Sequence, residues 1–251
     1  MNLEANNYES YILNDQNMIT YLKYKLNNSN NNNNKENLIK KDDKHENTNS
    51  YKKNSLFIPK ENDSLFWCYY IILNGDCNYE ILNVKNSLIE KQLKINYINK
   101  IRENKNIIKT YKFDTITNIE SNLANDNYIS IKTVISLCAI EKINLIFVRK
   151  KTYFELLMND NEPIYVIREL ENQSKYSKKY GFEVINKNIL DEIRETLYKV
   201  DVLSKPIKAL SSYKVQDLIN IADKLAIEIL NKETGKNKTK NEIYESIIQY
   251  F

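Results

Sequence analysis

A chain of 251 residues, 42% hydrophobic and 28% charged, has room for one large domain or a medium domain with a small appendage, and a net charge of +4 does not by itself announce a nucleic-acid binder. Three glycines, Gly75, Gly181 and Gly235, exclude a glycine-rich phosphate cradle, and a single histidine, His45, leaves almost no imidazole for metal ligation or proton transfer. Cys68, Cys77 and Cys138 contain no C-x-x-C pair, which excludes a local zinc ribbon or redox motif; all three are expected to be reduced and mostly buried.

Along the chain, "YESYILNDQNMITYLKYKL" (8–26) has loosely helical apolar spacing and reads as a short docking helix. Residues 27–55 are so rich in Asn, Lys and Ser that they cannot bury enough apolar area to offset chain entropy, and a disordered linker is expected within an N-terminal segment 1–55. No apolar run is long enough to cross a bilayer and no leader-like stretch follows Met1, so an intracellular, soluble protein without a membrane contact is expected.

A core domain is expected over 56–203. Its opening, "NDSLFWCYYIILNG" (62–75), holds an uncharged run from Leu65 to Leu73, stopped by Asn74-Gly75, and predicts a buried helix over 64–74. "NSLIEKQLKINYINKIREN" then places Leu88, Ile89, Leu93, Tyr97, Ile98 and Ile101 on one helical face, with Lys91, Lys94, Lys100 and Arg102 on the wet side. Ser130 caps a helix ending at Ile140, and "INLIFV" and "TYFELLM" form a hairpin across Arg149-Lys150-Lys151. Strands follow at 163–168 and 181–185, and a helix at 189–200. Helices first and strands later give an α+β class with a small, mainly antiparallel sheet.

Lys205-Pro206 breaks this pattern. In a C-terminal module over 204–251, Val215, Leu218, Ala222 and Leu225 form one helical stripe and Ile243, Ile247 and Phe251 another, flanked by Tyr244 and Ile248. Thr239 and Glu242 have capping-box spacing at the start of the second helix. Eight lysines stand against six acids from Lys205 onward, and Lys236, Lys238 and Lys240 crowd the approach to that helix, where exposed amides also suit phosphate oxygens. A solvated loop on a protein-docking module is the bland alternative.

Around Ser64, Leu65 and Phe66 the chain resembles the D-G-N-C-L-F opening of ovarian-tumour-type (OTU-like) cysteine proteases, which also lead from helices into a helix–strand–hairpin region. Only Leu65 and Phe66 match; Ser64 replaces the thiol, and no histidine follows His45 to act as the family's general base. The resemblance thus implies a catalytically degenerate relative with no catalytic residue, since a hydroxyl without a base is a poor nucleophile. "LFWCYYII" also resembles a stretch in proteins of nucleocytoplasmic large DNA viruses, an origin compatible with the AT-rich bias towards Asn, Ile, Lys and Tyr. That bias lowers the weight of any one lysine run. The C-terminal pattern, D-L-x-x-I-A-x-K-L (217–225) and G-K-x-K-T-K-x-E-I (235–243), resembles the helix–extended loop–helix family of SAP modules and the N-terminal domain of terminator Rho. This resemblance implies sequence-weak binding of DNA or RNA backbone through Lys214, Lys236, Lys238 and Lys240, without cofactor or metal. With the viral resemblance it implies work in transcription or genome handling, in host cytoplasm, viral factory or virion. An adaptor that binds another protein is the competing class, and a residual OTU-like hydrolase the third.

Overall fold

The structure, a computed structural model of the chain, describes residues 56–82, 87–160, 163–170, 178–231 and 235–251. The helix expected at 8–26 and the linker expected at 27–55 lie outside the described residues. No helix among the described residues is long and apolar enough to cross a membrane.

The uncharged opening run forms α1 (Ser64–Asn74). Asp63 caps it by accepting the Phe66 N–H at 3.2 Å. Gly75 ends it with φ of 83° and donates its N–H to the Ile71 carbonyl. Every residue from Ser64 to Ile72 is buried, which is why the run is apolar all round rather than striped. Helices α2 (Asp76–Ile81) and α3 (Ser87–Glu103) follow. The stripe expected on α3 is present at Tyr97, Ile98 and Ile101, but Leu88 is exposed and Lys94, placed on the wet side from sequence, is buried. Helices α4 (Lys105–Tyr111) and α5 (Ile116–Asn125) stand where no element is expected. Only Ile119 and Leu123 of α5 are buried, so its apolar signal is thin. Helix α6 (Ile131–Ile140) starts where predicted, with the Ser130 hydroxyl accepting the Thr133 N–H.

β1 (Asn144–Arg149) and β2 (Thr152–Leu156) make the expected antiparallel hairpin, and β3 (Ile164–Leu170) and β4 (Lys179–Ile185) a second one. The two hairpins meet through a parallel β1–β3 ladder, so the sheet is mixed, in the order β4-β3-β1-β2-β5. Helix α7 (Lys187–Thr196) stops short of the expected 189–200. Hydrogen bonds from Tyr198 N to Lys151 O and from Val200 N to Tyr153 O draw the chain into the two-residue strand β5 (Tyr198–Lys199), parallel to β2. Leu145 and Phe147 of β1 pack with the α1–α6 side, while Ile146 and Val148 pack with Leu190 and Ile193 of α7. Both faces of the central strand are covered, which explains its unbroken apolar run. The class is α+β.

Beyond Leu203, which packs on the main core, the chain builds a separate cluster of Ile207, Leu218, Ile221, Ala222, Leu225, Ile243 and Ile247. Its elements are a 3₁₀ turn (Leu210–Ser212), α8 (Val215–Leu225) and α9 (Lys240–Tyr250). Val215, expected in the stripe, is exposed, and Ile221 takes its place. The described residues nevertheless belong to one compact unit. Lys224 of α8 donates to the Arg194 and Leu197 carbonyls at the end of α7, and the Tyr250 hydroxyl accepts the Lys151 N–H.

Candidate functional site

Two places in the chain suggested chemistry, and the structure gives each a definite geometry. At the first, the Ser64 hydroxyl is 1% exposed and accepts the Tyr180 N–H at 2.9 Å. Tyr180 lies in β4, at the edge of the sheet. The neighbouring edge position is closed by Phe57, which exchanges two backbone hydrogen bonds with Phe182, and Lys179 Nζ reaches the Glu61 carbonyl. Ser64 is therefore one of several groups that close an exposed strand edge. Cys68, a turn further on, is fully buried; burial, reinforced by the charge of Asp63, pushes its thiol well above the ordinary range, away from a reactive thiolate.

Beneath Ser64 lies an ionic cluster that the sequence did not reveal. Lys94 Nζ donates to Asp63 Oδ2 at 2.7 Å and to Glu90 Oε1 at 2.8 Å, and sits 5.2 Å from the centre of the Phe66 ring. Asp63 Oδ2 also accepts the Ile129 N–H, and Glu90 Oε2 accepts the Trp67 indole N–H. Burial raises the Asp63 carboxyl above its ordinary value, against the pull of Lys94 and the two amides. The cluster ties the start of α1 to α3 and to the segment before α6. Its advance signal was slight: an acid at an N-cap, and a lysine one turn from Glu90 that was read on the wet side of the helix.

At the second place, the segment between α8 and α9 is a small hairpin rather than an open loop. Leu230 and Asn237 form an antiparallel bridge, Lys238 N donates to Ile229 O, and Asn231 N donates to Lys236 O. Lys214 is exposed at the start of α8, where its N–H is held by the Asp217 carboxylate. Lys236 is exposed on the second arm of the hairpin, opposite Asn231, and Lys240 is half-buried as the first residue of α9. Lys238 departs from the expected wet loop: its ammonium donates to the Glu228 carbonyl at 2.8 Å and to the Ser246 hydroxyl at 3.2 Å. It fastens the hairpin to α9. The capping box is present, with the Glu242 carboxylate 2.6 Å from the Thr239 N–H, a bond that holds its pKa below the usual carboxylate value. A carboxylate thus already answers the positive end of α9, so a phosphate there would meet ammonium groups rather than the helix amides.

A third feature was read from sequence only as a turn. Two adjoining clefts, about 370 and 160 Å³, share Ile131, Phe147 and Arg149. Lys178 lines the first and Lys132 and Lys150 the second. Among the described residues no group of three or more His, Cys, Asp or Glu side chains could hold a metal ion. No protein-family model, curated protein or solved structure matches the chain, so its function has to be read from these side chains themselves.

Proposed function

We propose that this is a non-catalytic protein that binds nucleic-acid backbone with little sequence preference, through the module formed by α8, the hairpin and α9. The observation that carries this reading is the placing of the lysines around a fixed hairpin: Lys238 fastens the hairpin to α9, Lys236 is exposed on its second arm, and Lys240 is half-buried at the start of α9. Lys214 adds a third cation at the start of α8. Ammonium groups on a rigid frame suit phosphate oxygens, and phosphate contacts position a protein without reading sequence. The viral resemblance of the first helix adds viral transcription or genome handling as the setting. A second reading, docking to another protein, is favoured by Val215, Leu230 and Ile248, apolar side chains that the module leaves exposed.

Titration of the full chain against a fluorescent duplex at increasing salt separates the two. With three lysines engaged, log K against log[salt] should fall with a slope of at most about −2.7, at roughly −0.9 per phosphate neutralised. The variant Lys214→Glu/Lys236→Glu/Lys240→Glu should lose binding, while Lys91→Glu/Lys105→Glu/Lys109→Glu, on exposed positions of α3 and α4, should keep it. Equal binding by both variants, or none by the wild type at low salt, would leave protein docking as the reading of the module.

A further inference from the structure

The paired clefts form one trough, and its lining is unlike ordinary surface. Four cations, Lys132, Arg149, Lys150 and Lys178, border it. Two acids do so as well, and both are already engaged. Asp63 is held by the buried Lys94, and Glu169 is shared between Arg149 Nε at 3.5 Å and Lys178 Nζ at 3.4 Å. Lys132 Nζ in turn lies 3.8 Å from Asp114 Oδ2, so the trough keeps a small surplus of positive charge, centred on Lys150 and on the Arg149 and Lys178 that share Glu169.

Its floor and far wall are aromatic. Phe147 and Phe154, 5% and 7% exposed, belong to the core beneath the floor, and the half-buried Tyr250 and Phe251 at the end of α9 are the rings a nucleobase could reach. Lys150 lies 5.3 Å from the centre of the Tyr250 ring, and the adjacent Lys151 N–H is bonded to the Tyr250 hydroxyl, so cation and ring are held as a unit. Lys150 itself takes a left-handed backbone, φ 51°, at the tip of the hairpin. Asn or Gly would sit there more comfortably. Cations beside aromatic rings in a narrow trough are the combination by which single-stranded nucleic acid is held, phosphates on the cations and bases against the rings. An acidic peptide would use the cations and leave the rings without a partner.

We infer that this trough binds a single strand of nucleic acid, as a site separate from the lysines of the module. The inference extends the nucleic-acid reading proposed above, but uses none of its lysines. Tyr250 and Lys240 are the two ends of one helix, about 15 Å apart at 1.5 Å per residue. About four stacked nucleotides, at about 3.4 Å each, cover that distance.

The test uses the full chain, a fluorescent oligothymidylate and a blunt duplex of equal length, read by anisotropy at low salt. The trough variant Lys132→Glu/Lys150→Glu should weaken oligothymidylate binding by about tenfold or more and change duplex binding little. The milder pair Lys132→Ala/Lys150→Ala, with unchanged circular dichroism and urea midpoint, should move the same way by less. If the trough variants bind oligothymidylate like the wild type, or lose both ligands equally, the single-strand site is overturned while the module reading stands on its own variant. If the module variant keeps both ligands and the trough variant loses oligothymidylate alone, the module reading fails and the trough inference survives. Displacement of the labelled strand by thymidine monophosphate or a polyglutamate peptide as readily as by unlabelled oligothymidylate would also overturn it, in favour of a small-anion or acidic-peptide site.

Discussion

Replacing Lys94 by Met tests whether the buried ionic cluster holds the domain together. Methionine keeps most of the volume of the lysine stem and removes the charge. Asp63 would retain the Phe66 and Ile129 amides, and Glu90 the Trp67 indole, but two carboxylates would lose their shared cation. Removing one partner of a buried pair costs about 3–5 kcal/mol, and the surviving hydrogen bonds place this case near the lower end. For a domain of this size each kcal/mol moves the melting temperature by about 2–4 °C, so a fall on the order of 10 °C is expected. The loss should also depend on pH in a defined sense. Burial already holds the Asp63 carboxyl above 3.8, and Lys94 is the strongest influence pulling it down. Without Lys94 the folded carboxyl rises further, so on acidification the folded variant takes up a proton before the unfolded chain does. More protons on the folded state mean stability gained as pH falls. The deficit relative to wild type should therefore be full above the folded pKa and shrink as pH falls towards 3.8. Urea unfolding across that range measures it. The double variant Asp63→Asn/Lys94→Met should recover part of the loss, since a neutral pair leaves less charge stranded. A deficit that does not vary with pH, or one under about 1 kcal/mol, would refute the reasoning.

Other expectations can be checked on the same material. Gly181→Ala should destabilise by about 1–3 kcal/mol in urea, because an added Cβ would meet the Phe57 carbonyl oxygen at 3.0 Å and Leu56 Cγ at 2.9 Å. Ser64→Ala should cost about 1–2 kcal/mol by stranding the Tyr180 N–H. Incubation with ubiquitin chains should yield no cleavage by the wild type, and cleavage lost in that variant would reveal an active site. Thiol labelling of the native protein should modify the exposed Cys77 alone, with Cys68 and Cys138 reacting only after unfolding. Lys238→Ala should lower stability, unlike Lys236→Ala, because only the former removes the hydrogen bonds to Glu228 and Ser246.

Much of the backbone was legible because its signals are local. An uncharged run stopped by Asn-Gly gave α1, a Ser130 cap gave α6, and two apolar runs around Arg149-Lys150-Lys151 gave a hairpin. The parallel pairing of β1 with β3 was not legible. It depends on which side of β1 the chain enters after the hairpin, and no residue of either strand encodes that choice locally. Helix α5 was missed because it buries only two side chains, and β5 because two residues leave no period to read.

Charge was the least legible property, for a physical reason. A lysine's long stem lets its ammonium reach either solvent or a buried acceptor, and sequence spacing does not distinguish the two. Here Lys94 reaches carboxylates in the core, Lys179 the Glu61 carbonyl, Lys224 the carbonyls ending α7, and Lys238 the hairpin and α9. Read as letters in a Lys-rich chain, Lys94 looked like solvated surface and Lys238 like a phosphate contact. In the fold they fasten one element to another. A net charge of +4 is therefore a poor guide to where a polyanion could bind. Better guides are cations grouped on a fixed frame, as at the exposed Lys236 and the half-buried Lys240, and cations that share too few acids, as Arg149 and Lys178 share Glu169. Those two places lie at opposite ends of α9, with that helix fastened to the sheet by Tyr250 and to the hairpin by Lys238. One rigid helix thus fixes both cationic sites relative to each other, a condition for a single strand to engage them together.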